Sequence, residues 1–255
     1  MEWWLRRILK DSFRIHVWDH EHELRAFAID DSGHVIVRTA DRHLATRMAV
    51  VEWMERALSA AGRDSIELAA ADDETSLRAA LARRGYVASD SFGDELVYDI
   101  TSEPPSVQPP PGYRIVTLGD LTDEQYVELH RAAWSTIKPS DYTRALHDVV
   151  TAMPDFRRDM VPVAIAPGGS PAAYCIGWFD AISLSVEIEP LGTHPEHRRR
   201  GLAHAIVRDI QRRAWERGAR TVMVWGTKAN QAAARLYRSC DMTPRRAVRD
   251  HRLAL

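Results

Sequence analysis

The stretch Leu191–Ala203 reads LGTHPEHRRRGLA and predicts a strand, a turn at Pro195 and the start of a helix. The first turn of a helix carries amide N–H groups without intrahelical acceptors and a partial positive charge, so it attracts phosphate. Gly201 and Ala203 have small side chains, which let a ligand approach the main chain closely. The stretch therefore predicts a binding site for a diphosphate.

Three arginines, Arg198, Arg199 and Arg200, come directly before this helix. Cations at a helix N-terminus oppose the helix dipole, so a bound anion would compensate for them. Neither GxxxxGK[ST] nor GxGxxG occurs in the chain. The predicted phosphate site therefore differs from the P-loop and from the dinucleotide-binding loop.

The residues of this stretch resemble the acetyl-CoA signature of the GCN5-related N-acetyltransferase (GNAT) superfamily, [QR]-x-x-G-x-[GA]. Arg198, Gly201 and Ala203 stand at its defining positions. A second block, NQAAARLYRSCDM at 230–242, resembles the family pattern N-x-x-A-x-x-L-Y-x-x-x-G-F and departs from it at its last two residues. Those two residues follow the last helix, so the departure affects local loop geometry.

The resemblance implies acetyl-CoA as the cosubstrate and no metal. Pantetheine is expected to bind the strand main chain by β-addition, and the diphosphate to bind the following loop and helix start. The expected contacts are Leu191, Gly192, Thr193, Arg198, Arg199, Arg200, Gly201, Leu202, Ala203 and Asn230.

Acyl transfer to an amine requires the neutral amine, which at pH 7 costs roughly 4–5 kcal/mol for an amine with a pKa of about 10.4. Glu187 and Glu189 precede the cofactor loop on the same strand, and alternation places them on one face with Leu191 unless Pro190 causes a bulge. The resemblance assigns the general base to Glu187. Glu189 is the alternative, and both can instead be solvated strand residues.

Tyr237 is the candidate general acid, since a phenol can donate a proton to the departing thiolate. The alternative is a core aromatic residue on an amphipathic helix. No cysteine stands in either motif where an acyl-enzyme nucleophile would be expected, so direct attack in a ternary complex is predicted. Trp134 and Trp178 are interpreted as core residues or as residues of the acceptor cleft.

The composition excludes several classes of function. The chain has 255 residues, 45% of them apolar, and a formal net charge of −2, which favours neither nucleic acid nor a membrane as partner. No apolar run reaches the length of a membrane span, and the N-terminus lacks the features of a signal peptide. Two separated cysteines suit a reducing cytoplasm. The expected partner is a small-molecule or peptide amine, and the chain is expected to be a monomer or homodimer.

A proline-rich linker, TSEPPSVQPPPG at 101–112, divides the chain into segments 1–100 and 113–255. The second segment is predicted to contain a strand, two helices, three strands, a helix, a strand, a helix and a strand, which is the order of the GNAT fold. The first segment repeats the latter part of this order. Its cofactor loop has lost both small-residue positions, where Ala45 and Arg47 hinder close approach to a diphosphate.

The predicted fold class is α/β (α+β), with two tandem GNAT-like domains, each a mixed, mostly antiparallel sheet flanked by helices. The N-terminal copy at 1–100 is expected to be shortened and degenerate, and the acetyl-CoA-binding domain is expected at 113–255. In architecture the chain resembles two-domain acyltransferases of the mycothiol synthase type. The predicted function is an acetyl-CoA-dependent N-acetyltransferase acting on a primary amine. The alternatives are a non-catalytic acyl-CoA-binding sensor or scaffold and the transfer of a longer acyl chain.

Overall fold

A computed structural model describes residues 14–31, 34–40, 43–136, 140–227 and 230–255. The described residues divide into two compact units. The N-terminal unit consists of the described residues up to Glu95, together with Gly226, Thr227 and 244–255. The C-terminal unit contains 96–225 and 230–243. Neither unit is therefore formed by one continuous segment of the chain.

In chain order, the N-terminal unit contains three strands, a helix, a strand, a second helix and a further strand. Its elements are β1 (Arg14–His20), β2 (Glu23–Asp31), β3 (His34–Thr39), α1 (Leu44–Ala60), β4 (Ser65–Ala71), α2 (Thr75–Arg83) and most of β5 (Val87–Asp99). The final strand of the chain, β11 (Thr243–Ala254), also lies almost entirely in this unit, and the strand order is β1-β2-β3-β4-β11. Pairing is antiparallel except between β3 and β4.

The C-terminal unit is a second mixed sheet with helices on both faces. Its elements are β6 (Arg114–Thr117), α3 (Asp123–Trp134), α4 (Arg144–Thr151), β7 (Pro162–Ile165), β8 (Pro171–Asp180), β9 (Ser185–Thr193), α5 (Leu202–Glu216), β10 (Thr221–Thr227) and α6 (Gln231–Ser239). The strand order is β10-β9-β8-β7-β6. Pairing is antiparallel except between β9 and β10. The predicted order of elements, ending in β11, is confirmed.

Strand β8 explains why this sheet carries helices on both faces. Alternate side chains of β8 enter two different apolar clusters: Tyr174 and Trp178 pack with α3 and α4, whereas Ala173 and Cys175 pack with α5. We call these faces the α3 face and the α5 face. A strand that is buried on both faces appears in the sequence as the nearly continuous apolar run at 171–179.

Threonine side chains cap two helices of the C-terminal unit, α3 and α4. Helix α3 begins after Thr122, whose hydroxyl accepts the N–H of Gln125 at 3.2 Å as part of a capping box. The side chains of Ser140 and Asp141 also suit a helix cap, but α4 is capped by Thr143 and starts at Arg144. Within the described ranges, no helix is both long and apolar enough to cross a membrane.

Candidate active site

The parallel strands β9 and β10 are paired only at one end. Among the described residues their register comprises three pairs, from Ser185 opposite Thr221 to Glu187 opposite Met223. Both strands then continue, β9 to Thr193 and β10 to 227. Among the described residues the register with β10 therefore ends at Glu187, so the N–H groups of Leu191 and Thr193 lie beyond the part of β9 that pairs with β10.

The hydrogen bonds between β8 and β9 determine which of these groups face the opening. The N–H of His194 donates to the carbonyl of Ala172 at 2.8 Å, and Thr193 lies opposite Ala173. In an antiparallel ladder this pattern directs the main chain of Gly192 toward β8 and that of Leu191 and Thr193 away from it. Of the three predicted pantetheine contacts, two therefore present N–H groups to the opening.

Gly192 has a different role, because it allows β9 to pack closely on the α3 face. A Cβ atom at this position would lie 2.6 Å from Cε1 of Tyr174 and 3.0 Å from Cβ of Ala133. Any larger residue would push β9 away from β8 and α3.

A bulge in β9 changes the faces on which the site residues lie. Leu191 is opposite Cys175 and Ile188 is opposite Gly177, so β9 contains one residue more than β8 between these pairs. The sequence left open a bulge at Pro190 that would break the alternation, and this bulge is present, so Leu191 does not share a face with Glu187. Glu187 lies opposite Trp178 on the α3 face, whereas Leu191 packs with the α5-face cluster.

The two candidate catalytic groups lie on opposite sides of the sheet. Glu187 is 8% exposed and stands on the α3 face at the last pair before the opening. Tyr237 is 6% exposed and belongs to the α5-face cluster. Burial raises the pKa of Tyr237 above its ordinary value, and the negative charge of Glu189 raises it further. The phenol is therefore protonated at neutral pH.

The loop after β9 leads into α5, whose N-terminus has no side-chain cap. Arg199 has a φ of 59°, Gly201 has a φ of 83°, and no side chain caps α5. The first bond within the helix is donated by Ala205 to the carbonyl of Gly201 at 3.1 Å, so the amides of Leu202 and Ala203 have no intrahelical acceptor. Arg199, Arg200 and Gly201 are exposed, as an anion site requires.

Arg198 does not extend freely into this loop. Its Nε donates to the carbonyl of Thr193 at 3.2 Å, and its terminal nitrogens donate to Oγ1 of Thr136 at 2.9 Å and to the carbonyl of Ala133 at 2.8 Å. The guanidinium therefore connects β9 with the end of α3, although the sequence analysis placed it with the other arginines at the diphosphate.

Asn230 is the N-cap of α6, and its side-chain oxygen accepts the N–H of Ala233 at 3.0 Å. The amide NH₂ group remains available as a donor. Asn230 therefore positions the helix that carries Tyr237.

A group of polar aromatic residues lies on the α3 face, and of these only Trp134 was named from the sequence. Tyr126, His130 and Trp134 recur at intervals of four along α3, which was the available signal. The indole of Trp134 donates to the hydroxyl of Tyr174 at 3.0 Å, and His130 stacks on Tyr142 with ring centroids 3.8 Å apart.

This group extends to α4 through His147. Its Nδ1 lies 2.9 Å from the hydroxyl of Tyr142, and its Nε2 lies 3.2 Å from Oδ1 of Asp123. Burial lowers the pKa of His147 despite the opposing effect of Asp123. These side chains lie on the same face of the sheet as Glu187.

The N-terminal unit contains a similar opening between parallel strands. Among its described residues, β3 and β4 pair only at His34–Glu67 and Val35–Leu68 before both continue. Arg47, in the first turn of α1, is 5% exposed.

The side chain of Arg47 bridges this second opening. Its Nε donates to Oγ1 of Thr39 at the end of β3 at 3.1 Å, and a terminal nitrogen lies 3.8 Å from Oε1 of Glu74. Glu74 in turn accepts the N–H of Ala71 at the end of β4 at 2.9 Å. The unit's own side chains therefore span the gap that remains open at β9 and β10.

The family comparison agrees with this geometry. Residues 124–242, somewhat less than half of the chain, match the model of the Acetyltransferase (GNAT) family. The matched region covers β9, the loop at 194–201, α5, β10 and α6. This match supports an acyltransferase, and proteins of the family generally use acetyl-CoA. No curated protein matches the chain.

Solved structures show the same fold over nearly the whole chain. A tandem GNAT protein from the clavulanic acid biosynthesis pathway has a TM-score of 0.69 at 15% identity, covering 97% of this chain and 85% of its own. A GCN5-related N-acetyltransferase from Sphaerobacter thermophilus has a TM-score of 0.66 at 20% identity, with coverage of 91% and 77%. A GNAT-family acetyltransferase from Colwellia psychrerythraea has a TM-score of 0.65 at 10% identity, with coverage of 94% and 85%.

The fold is therefore α/β with the tandem GNAT-like arrangement, as predicted. The likeness to mycothiol synthase in particular stays a prediction.

Proposed function

We propose that the protein is an acetyl-CoA-dependent N-acetyltransferase that transfers an acetyl group to a primary amine of a small molecule or peptide. The observation that carries this proposal is the opening between β9 and β10, which leads along the main chain of β9 to the uncapped start of α5. An extended pantetheine arm fits the first feature and a diphosphate fits the second.

The main chain supplies most of the proposed cofactor contacts. Leu191 and Thr193 offer N–H groups to pantetheine, while the carbonyl of Thr193 is already bonded to Arg198. The amides of Gly201, Leu202 and Ala203 receive the diphosphate, and Arg199 and Arg200 add positive charge there. The Leu191 amide is available to the acetyl carbonyl oxygen as negative charge develops on it.

The two catalytic roles follow from the two faces of the sheet. Acetyl-CoA supplies an activated thioester. Glu187 accepts the proton of the amine that arrives on the α3 face, and Tyr237 meets the sulfur from the α5 face. Since the pKa of Tyr237 is raised above 10, full proton transfer to a thiolate with a pKa of about 8.5 is unfavourable. Tyr237 therefore stabilises the departing sulfur as a hydrogen-bond donor.

Direct attack by the amine agrees with the state of the two cysteines. Cys175 and Cys240 are fully buried. Burial raises the pKa of the Cys175 thiol well above its ordinary value and that of Cys240 to about 11. A protonated, inaccessible thiol is a poor nucleophile, so an acyl-enzyme route through cysteine is disfavoured.

Replacing Tyr237 by Phe separates the enzyme from a non-catalytic acyl-CoA sensor. We expect the release of CoA from acetyl-CoA, measured with a thiol reagent across a panel of primary amines, to fall about tenfold. The affinity for acetyl-CoA, measured by calorimetry, should change by less than about twofold, because the phenol contacts only the sulfur. A wild-type protein that binds acetyl-CoA but releases no CoA with any amine would instead be a sensor.

The bridged opening of the N-terminal unit leads to a prediction about stoichiometry. Because Arg47 spans the gap between β3 and β4, calorimetry should detect one molecule of acetyl-CoA per chain. The Arg47→Ala variant should give the same value, since no glycine corresponding to Gly201 precedes α1. Two molecules per wild-type chain, with one lost in Arg47→Ala, would show that Arg47 is a ligand rather than a bridge.

A further inference from the structure

The three acceptors of Arg198 belong to two different parts of the C-terminal unit. The carbonyl of Thr193 is at the end of β9, where the main chain faces the opening. The carbonyl of Ala133 and the hydroxyl of Thr136 are at the end of α3. The last carbonyls of a helix lack intrahelical donors, and the helix dipole favours a cation there. The guanidinium therefore matches this position in both hydrogen bonding and charge.

A second connection runs between the same two elements. Trp134 follows Ala133 at the end of α3, and its indole donates to the hydroxyl of Tyr174. The ring of Tyr174 lies directly against Gly192 of β9. The end of α3 is therefore attached to β9 on both sides of its last turn, at Thr193 through Arg198 and at Gly192 through Tyr174.

This attachment matters because α3 covers the face on which Glu187 stands. Trp134, Tyr174 and Trp178 belong to one cluster, and Trp178 is the cross-strand neighbour of Glu187. An amine that reaches Glu187 must approach along this face. The position of the end of α3 therefore affects the space available to the acceptor.

We propose that Arg198 is a positioning residue that couples the binding of acetyl-CoA to the position of the end of α3. This inference rests on the proposed function. A diphosphate bound at the loop 194–201 restrains Arg198, and through its hydrogen bonds Arg198 restrains Ala133 and Thr136. The coupling is mutual by thermodynamic necessity, so an ordered α3 end also favours acyl-donor binding.

Hydrogen exchange measured by mass spectrometry tests the proposal without any known acceptor. In the wild type, saturating acetyl-CoA should slow amide exchange in peptides covering 126–136 by about tenfold. In Arg198→Met, acetyl-CoA should still bind but the slowing should disappear. Arg200→Met is the matched control: it removes a neighbouring exposed charge, so it should weaken acetyl-CoA binding and retain the slowing.

Thr136→Val provides a second variant that leaves the loop sequence intact. It removes one acceptor of Arg198 while keeping the side-chain shape, and should reduce the slowing; because the coupling is mutual, acetyl-CoA affinity should fall by no more than the same factor. Binding of acetyl-CoA to the wild type without slowing, or equal slowing in bound Arg198→Met, would overturn the coupling alone. Failure of the wild type to bind acetyl-CoA would overturn the proposed function and the coupling with it.

Discussion

Gly201→Glu should weaken acetyl-CoA binding about 100-fold, which corresponds to about 2.7 kcal/mol. Gly201 has a φ of 83° and an exposed main chain directly before α5. A glutamate is strained in this left-handed conformation by about 1–2 kcal/mol and places a negative charge where the diphosphate is expected. The charge itself does not disrupt α5, because anions are favourable at a helix N-terminus. Calorimetric titration with acetyl-CoA measures the effect.

The opposite end of the same helix provides the control. Gly218 has a φ of 73°, and a Cβ atom there would contact nothing within 4 Å. Gly218→Glu should therefore destabilise the fold to a similar extent and leave acetyl-CoA binding unchanged. Gly201→Asn, which tolerates the left-handed conformation and carries no charge, should show an intermediate loss. Undiminished binding in Gly201→Glu, or an equal loss in Gly218→Glu, would contradict the diphosphate site.

Glu187→Gln should lower kcat about 100-fold at neutral pH while leaving the affinity for acetyl-CoA within about twofold. The glutamine keeps the size of the buried side chain but cannot accept the proton of the amine. As the pH rises toward the pKa of the amine, about 10.4, the amine loses its proton to solvent and needs the base less. The ratio of the wild-type rate to the variant rate should therefore narrow with increasing pH.

Glu189→Gln is the matched variant, because it removes the same charge two residues further along β9. The negative charge of Glu189 raises the pKa of Tyr237, whereas Glu187 is the proposed base, so the loss of Glu189 should affect kcat less than the loss of Glu187. A larger effect at Glu189 would transfer the role of base to that residue. Rates of CoA release over a pH series decide between the two.

The sequence predicted the GNAT domain because its two motifs are local. The helix start at Gly201 and the cap at Asn230 each depend on residues within one turn, so their spacing is visible without tertiary structure. The strands and helices of the C-terminal unit followed from apolar periodicity in the same way. The cap of α4 could not be chosen from the sequence, since Ser140, Asp141 and Thr143 all have suitable side chains and only the folded chain selects one.

The chain by itself determined the order of its elements, the acyl-CoA motif and the candidate pair Glu187 and Tyr237. Tertiary structure alone decided that these two residues lie on opposite faces of the sheet, because the bulge at Glu189 and Pro190 depends on the register with β8. It also decided that Arg198 bonds to α3, since its acceptors are about sixty residues away in sequence. Periodicity and spacing describe neighbours along the chain, whereas register and long-range hydrogen bonds arise only when separate elements pack together.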